Sequence, residues 1–78
     1  MEDTVKEWER IIRDVERNLR RSGGVKVETP LGEMRVRNTG TRCCAWINSR
    51  GMAFGASPRA AVARLVMKIR NAATMIYL

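Results

Sequence analysis

Seventy-eight residues, 45% of them apolar, suffice for one small hydrophobic core and leave no room for a second domain. Fifteen Lys and Arg against eight Asp and Glu give a net charge of +7 and a sequence pI near 10.8, which favours polyanions or acidic protein surfaces as partners. Histidine is absent and the two cysteines are adjacent at Cys43 and Cys44, so the usual general base, a disulfide framework and zinc-ligand spacing are all missing.

The charges are unevenly placed. All eight acids lie within residues 1–34, whereas residues 35–78 hold eight bases and no acid. Twelve of the fifteen bases are Arg, whose planar fork makes bidentate contacts to phosphate or carboxylate and stacks on rings. The start, MEDTVKEWER, carries charges where a signal peptide needs an apolar run, and no stretch approaches the roughly 18 apolar residues of a membrane span. The expectation is a cytoplasmic protein with reduced cysteines and no membrane partner.

In chain order, the first helix is predicted from Thr4 to Ser22. Thr4-x-x-Glu7 fits a capping box, Val5, Trp8, Ile12, Val15 and Leu19 recur at three- and four-residue steps, and Ser22-Gly23-Gly24 supplies the stop. The period then changes from helical to alternating. Val25 to Glu28 reads as a strand, Thr29-Pro30-Leu31-Gly32 as a turn, and Glu33 to Arg37 as a second strand. A turn at Asn38 to Thr41 leads into Arg42 to Ile47, and Asn48-Ser49-Arg50-Gly51 leads into a short Met52-Ala53-Phe54-Gly55 strand. The last helix opens with Ser57 as N-cap and Pro58 at its first position, and Val62, Leu65, Val66, Ile69, Ala73 and Ile76 form its apolar stripe. The predicted fold is therefore a single two-layer α+β domain over residues 1–78, helix, antiparallel meander of three or four strands, helix, with both helices on one face of the sheet.

Four-residue loops would pair Val27 with Met34, Val36 with Cys43, Met34 with Ala45, Ile47 with Met52, and Ala45 with Phe54, an apolar face throughout. The same registers set Arg37 opposite Arg42, Arg35 opposite Cys44 and Trp46 opposite Ala53 on the other face. That face becomes a cationic platform of Lys26, Arg35, Arg37 and Arg42 around one indole, suited to phosphates and to stacking. Trp46 is alternatively a core or interface residue, covered by the first helix or by a second subunit. Arg59 stands at the start of the last helix, where free N–H groups and the helix dipole attract an anion or where Ser57 simply caps the helix. Arg64 and Lys68, one turn apart on the outer flank, extend the basic patch or are solvated surface. A nucleophile needs a base and an orienting group, and with no histidine and no acid after Glu33 the expectation is a non-enzyme without metal or cofactor.

Gly55-Ala56-Ser57-Pro58-Arg59-Ala60-Ala61 resembles the Gly-x-Ser-Lys-Lys-x-Ala stretch that opens the last helix of double-stranded RNA-binding domains. Gly55, Ser57 and Ala61 match, while Pro58 and Arg59 stand in place of the phosphate-gripping lysines. This resemblance implies a direct RNA- or DNA-binding module. In size, plan and missing catalytic set the chain is also similar to the small anti-CRISPR-type inhibitors of phages and mobile elements. That likeness implies a protein that docks on a host nucleoprotein complex, blocking nucleic-acid binding or nuclease recruitment, in the cytoplasm of a bacterial host. A homodimer is a further expectation, resting on the apolar seam of the first helix should that seam be left off the sheet.

Overall fold

The computed structural model describes residues 4–76, with side chains over residues 5–72. Helix α1 (Thr4–Ser22) is followed by strands β1 (Gly24–Thr29), β2 (Gly32–Asn38), β3 (Cys43–Ile47) and β4 (Gly51–Gly55), then by helix α2 (Pro58–Ile76). The four strands form one antiparallel meander in the order β1-β2-β3-β4. Both helices lie on the same side of it, α1 over β1 and β2, α2 over β4 and β3. The predicted two-layer plan is the observed one, in its four-strand form.

Helix α1 buries Trp8, Ile11, Ile12, Val15 and Leu19, a stripe at three- and four-residue spacing that packs on the sheet. Ile11 joins that stripe unpredicted, and Val5, expected in it, stands 72% exposed. Because this seam is packed, it no longer motivates a dimer. The helix stops where Gly23 takes a left-handed φ of 78° and donates its N–H to Leu19 O at 2.9 Å. In α2, Ala61, Val62, Leu65 and Ile69 are buried and Val66 partly so. The side chains of Thr4, Ala73 and Ile76, named above for the capping box and the apolar stripe, lie outside the described residues.

Three turns set the registers, and two of them differ from expectation. The first pairs Val27 with Met34, as predicted, and extends the ladder to Thr29 and Gly32, which were read as turn residues, with Thr29 Oγ1 accepting from Leu31 N–H at 3.1 Å and donating to Gly32 O at 2.7 Å. The second loop spans residues 39–42 rather than 38–41. It pairs Asn38 with Cys43, Arg37 with Cys44, Val36 with Ala45, Arg35 with Trp46 and Met34 with Ile47. Loop and strand ends each move by one residue, so the pairing shifts by two and every side chain keeps its predicted face. Arg42 leaves the strand and no longer opposes Arg37, which removes a like-charge pair.

The third loop overturns a prediction. Arg50 N–H bonds Ile47 O at 3.0 Å across a turn whose third residue, Ser49, has φ 69°, the conformation a type II turn requires there. Ile47 then pairs with Gly51, and Trp46 with Met52, Ala45 with Ala53, Cys44 with Phe54. A three-residue loop in place of four flips β4. Ala53 faces the helices, and Met52 and Phe54, expected under α2, face away from it. The sheet's share of the core is accordingly Met34, Val36, Cys43, Ala45 and Ile47, with Val25, Val27 and Ala53 at its margin.

Candidate functional site

The face of the sheet away from the helices carries three rows of side chains, read across the registers. Lys26, Arg35, Trp46 and Met52 form one row, and Gly24, Arg37, Cys44 and Phe54 the next. Glu28 and Glu33 make a short acidic row at one end. Arg35 and Arg37 are exposed, Trp46 is partly exposed, and Met52 and Phe54 are 46% and 41% exposed. Trp46 is therefore no member of the helix-covered core. Arg42, in the loop before β3, places its guanidinium carbon 5.8 Å from the centroid of the Phe54 ring, within cation–π range.

Between Arg35, Arg37, Lys26 and the indole lies a shallow trough of about 370 Å³, open to solvent. Glu33 sits at its rim with Lys26 Nζ at 3.8 Å and an Arg35 nitrogen at 3.9 Å. At those distances and exposures the pairs are loose, so both cations remain able to turn toward a ligand. Arg37 has no carboxylate within ion-pair range among the described residues. Cys44 lies beneath this surface, 5% exposed, between Arg37 and Phe54. Cys43 faces the core side, donates its thiol to Asn38 Oδ1 at 3.2 Å, and is held above the ordinary thiol pKa by burial.

The three basic residues predicted on α2 are drawn into internal contacts. Arg59 Nη1 donates to Glu9 Oε2 at 3.0 Å and Oε1 at 3.3 Å, and its Nε lies 3.8 Å from Glu16. The Arg59 hydrogen bond and charge hold the Glu9 carboxyl below its usual pKa. Ser57 Oγ accepts from Ala60 N–H at 3.2 Å, so the start of α2 is capped by its own side chain. Arg64 Nη1 donates to Phe54 O and Lys68 Nζ to Met52 O, each at 3.0 Å. These two side chains reach over the outer edge of β4, and Arg35, Arg37 and Trp46 share the sheet face with Arg42 at its border. The predicted set thus divides into a platform on the sheet and a clamp and strut on the helix.

Met52 and Phe54 are the site residues that sequence reasoning missed. The signal for them was the alternation Gly51, Ala53, Gly55, a line of small residues of the kind a helix packs against closely. At Gly55 a Cβ would lie 2.6 Å from Ala61 N and 2.8 Å from Ala60 C, so helix and strand touch there. The Gly55 and Ser57 of the double-stranded RNA-binding-domain resemblance hence have structural work of their own. No group of His, Cys, Asp and Glu suited to a metal ion occurs among the described residues, and among them no helix is long and apolar enough to cross a membrane. Comparison with protein-family models, curated proteins and solved structures finds no match.

Proposed function

We propose that this chain is a non-enzymatic binding protein that docks through its open sheet face on a host nucleoprotein complex of the CRISPR type, in the bacterial cytoplasm, blocking nucleic-acid binding or nuclease recruitment. The observation that carries the docking is the β4 register: it sets Met52 and Phe54 on the same face as Trp46, Arg35 and Arg37, with Arg42 at the border. Partly exposed Trp and exposed Phe and Met beside Arg is the composition of a protein-docking hot spot, where rings bury area and arginines find carboxylates. The inhibitor character and the type of complex rest on the likeness in size and plan to anti-CRISPR proteins.

A second reading, direct binding of RNA or DNA, is favoured by the presence of two rings, Trp46 and Phe54, on one basic face. Each offers a base a stacking surface while Lys26, Arg35 and Arg37 meet phosphates. Capture from a bacterial lysate with and without nuclease separates the two. The docking reading expects one stoichiometric protein complex that survives nuclease on the wild-type chain and is lost from Arg35→Ala/Arg37→Ala/Arg42→Ala. Recovery of mixed nucleic acid that vanishes with nuclease, and whose affinity falls steeply between low and moderate salt, contradicts it and supports the second reading.

A further inference from the structure

The two edges of the sheet are treated differently. On β4 the outward carbonyls of Met52 and Phe54 are occupied by Lys68 and Arg64 from α2, which blocks strand addition there. On β1 the direction of the backbone follows from one hydrogen bond, Asn38 N–H to Gly23 O at 3.0 Å. Antiparallel ladders alternate, so Val25, Val27 and Thr29 bond to β2, and Gly24, Lys26 and Glu28 point their backbone groups outward. Ser22 Oγ donates to Gly24 O at 2.6 Å. Among the described residues nothing bonds the outward groups of Lys26 and Glu28.

We propose that this edge is a homotypic interface, in which β1 of one copy pairs antiparallel with β1 of a second across a two-fold axis at Val27. The side chains select both the occupant and the register. Lys26 and Glu28 stand on the same face two residues apart, so a dyad at Val27 sets each Lys26 opposite the partner copy's glutamate. A dyad at Lys26 sets lysine against lysine, and one at Glu28 sets glutamate against glutamate and puts Pro30, which has no N–H, opposite Lys26; a dyad at Val27 moves Pro30 out to Gly24, whose carbonyl Ser22 already occupies. Only the Val27 register matches opposite charges and also brings outward-pointing residues together as hydrogen-bonded pairs. A lysine alone on an edge strand discourages pairing; alternating with a glutamate, it makes the edge self-complementary.

The monomer leaves this glutamate in need of a cation. Glu28 lies directly across from Glu33, a like-charge pair, and Lys26 and Arg35 are both near Glu33 rather than Glu28. In the dimer the second copy's lysine fills that position. Val27 and Val25, partly exposed on the helix side, gain cover from the second strand. The resulting eight-stranded sheet joins two platforms on one continuous face and, of the residues around the trough that could meet a ligand, uses Lys26 alone. Its test reads mass rather than binding, so the interface stands or falls independently of docking through Arg35, Arg37, Arg42, Trp46, Met52 and Phe54.

Sedimentation equilibrium of the full chain over a micromolar concentration series tests this, with a thermal melt for each variant as the control for folding. The wild type is expected to approach the mass of two chains. Lys26→Glu alone and Glu28→Lys alone each make like-charge pairs across the dyad and are expected to weaken dimerisation about tenfold. Lys26→Glu/Glu28→Lys restores opposite charges and is expected to return the wild-type mass. A wild-type mass of one chain throughout overturns the interface. Single reversals that leave dimerisation unchanged, or a folded double variant that stays monomeric, overturn this edge and register.

Discussion

At Gly55 the backbone of β4 meets the first turn of α2 with no space for a methyl group, because the atoms in the way are backbone and Ala60 Cβ rather than the end of a flexible chain. Gly55→Ala is therefore expected to destabilise the fold by ~1–3 kcal/mol through overpacking, read as a lowered denaturation midpoint. Arg59 acts at the same junction. It ties α2 to α1 through Glu9 and Glu16, and the Glu9 carboxyl has its pKa lowered, first by the Arg59 hydrogen bond and then by its charge. A carboxyl depressed in the folded state contributes stability at pH values above its unfolded pKa and loses it as pH falls through the folded one. Glu9→Gln should accordingly be less stable than wild type at neutral pH, and the two should converge on acidification below the ordinary carboxylate range, with the gap narrowed by added salt. A gap that persists unchanged into strong acid would show that the pair is not its source.

Between elements, the decisive quantity is loop length. Helical periodicity and the Ser57-Pro58 start made the bounds of α1 and the start of α2 legible to the residue, since caps and apolar spacing are local properties of the chain. The β2–β3 loop was displaced by one residue without moving any side chain to another face, whereas the β3–β4 loop was one residue shorter than expected and reversed a whole strand. Sequence pattern favours placing Met52 and Phe54 inside, because both are apolar. The tertiary demand was different: α2 must approach β4 closely at Gly55, and only the face of Gly51, Ala53 and Gly55 is flat enough. Charge clustering revealed the basic character of the open face, but it held no information on which arginines α1 and the β4 edge would engage. Arg59, Arg64 and Lys68 found partners distant in sequence. The two-layer packing itself is tested at Leu65, fully buried in α2. Leu65→Ala should cost ~2–5 kcal/mol, a large share of the stability of a domain this small, and a near-wild-type melt would contradict the helix-on-sheet core.

For the molecule as a whole, the two sides of the sheet divide the labour. Helix-facing positions are mostly apolar and, away from the β1 margin, closed, and edge β4 is sealed by cations from α2; among the described residues the open face is where Phe54 and Trp46 meet arginines. Its arginines Arg35, Arg37 and Arg42 are exposed, so they contribute little to folding and can be removed without unfolding the chain. Trp46, only partly exposed, belongs to the same surface and sits between Arg35 and Met52. The sharpest test is the affinity of Arg35→Ala/Arg37→Ala/Arg42→Ala for the complex that the wild-type chain retains after nuclease treatment, measured beside the variant's thermal melt. Loss of binding with a melt close to wild type is the predicted result; undiminished binding by the folded variant would contradict docking through the open face.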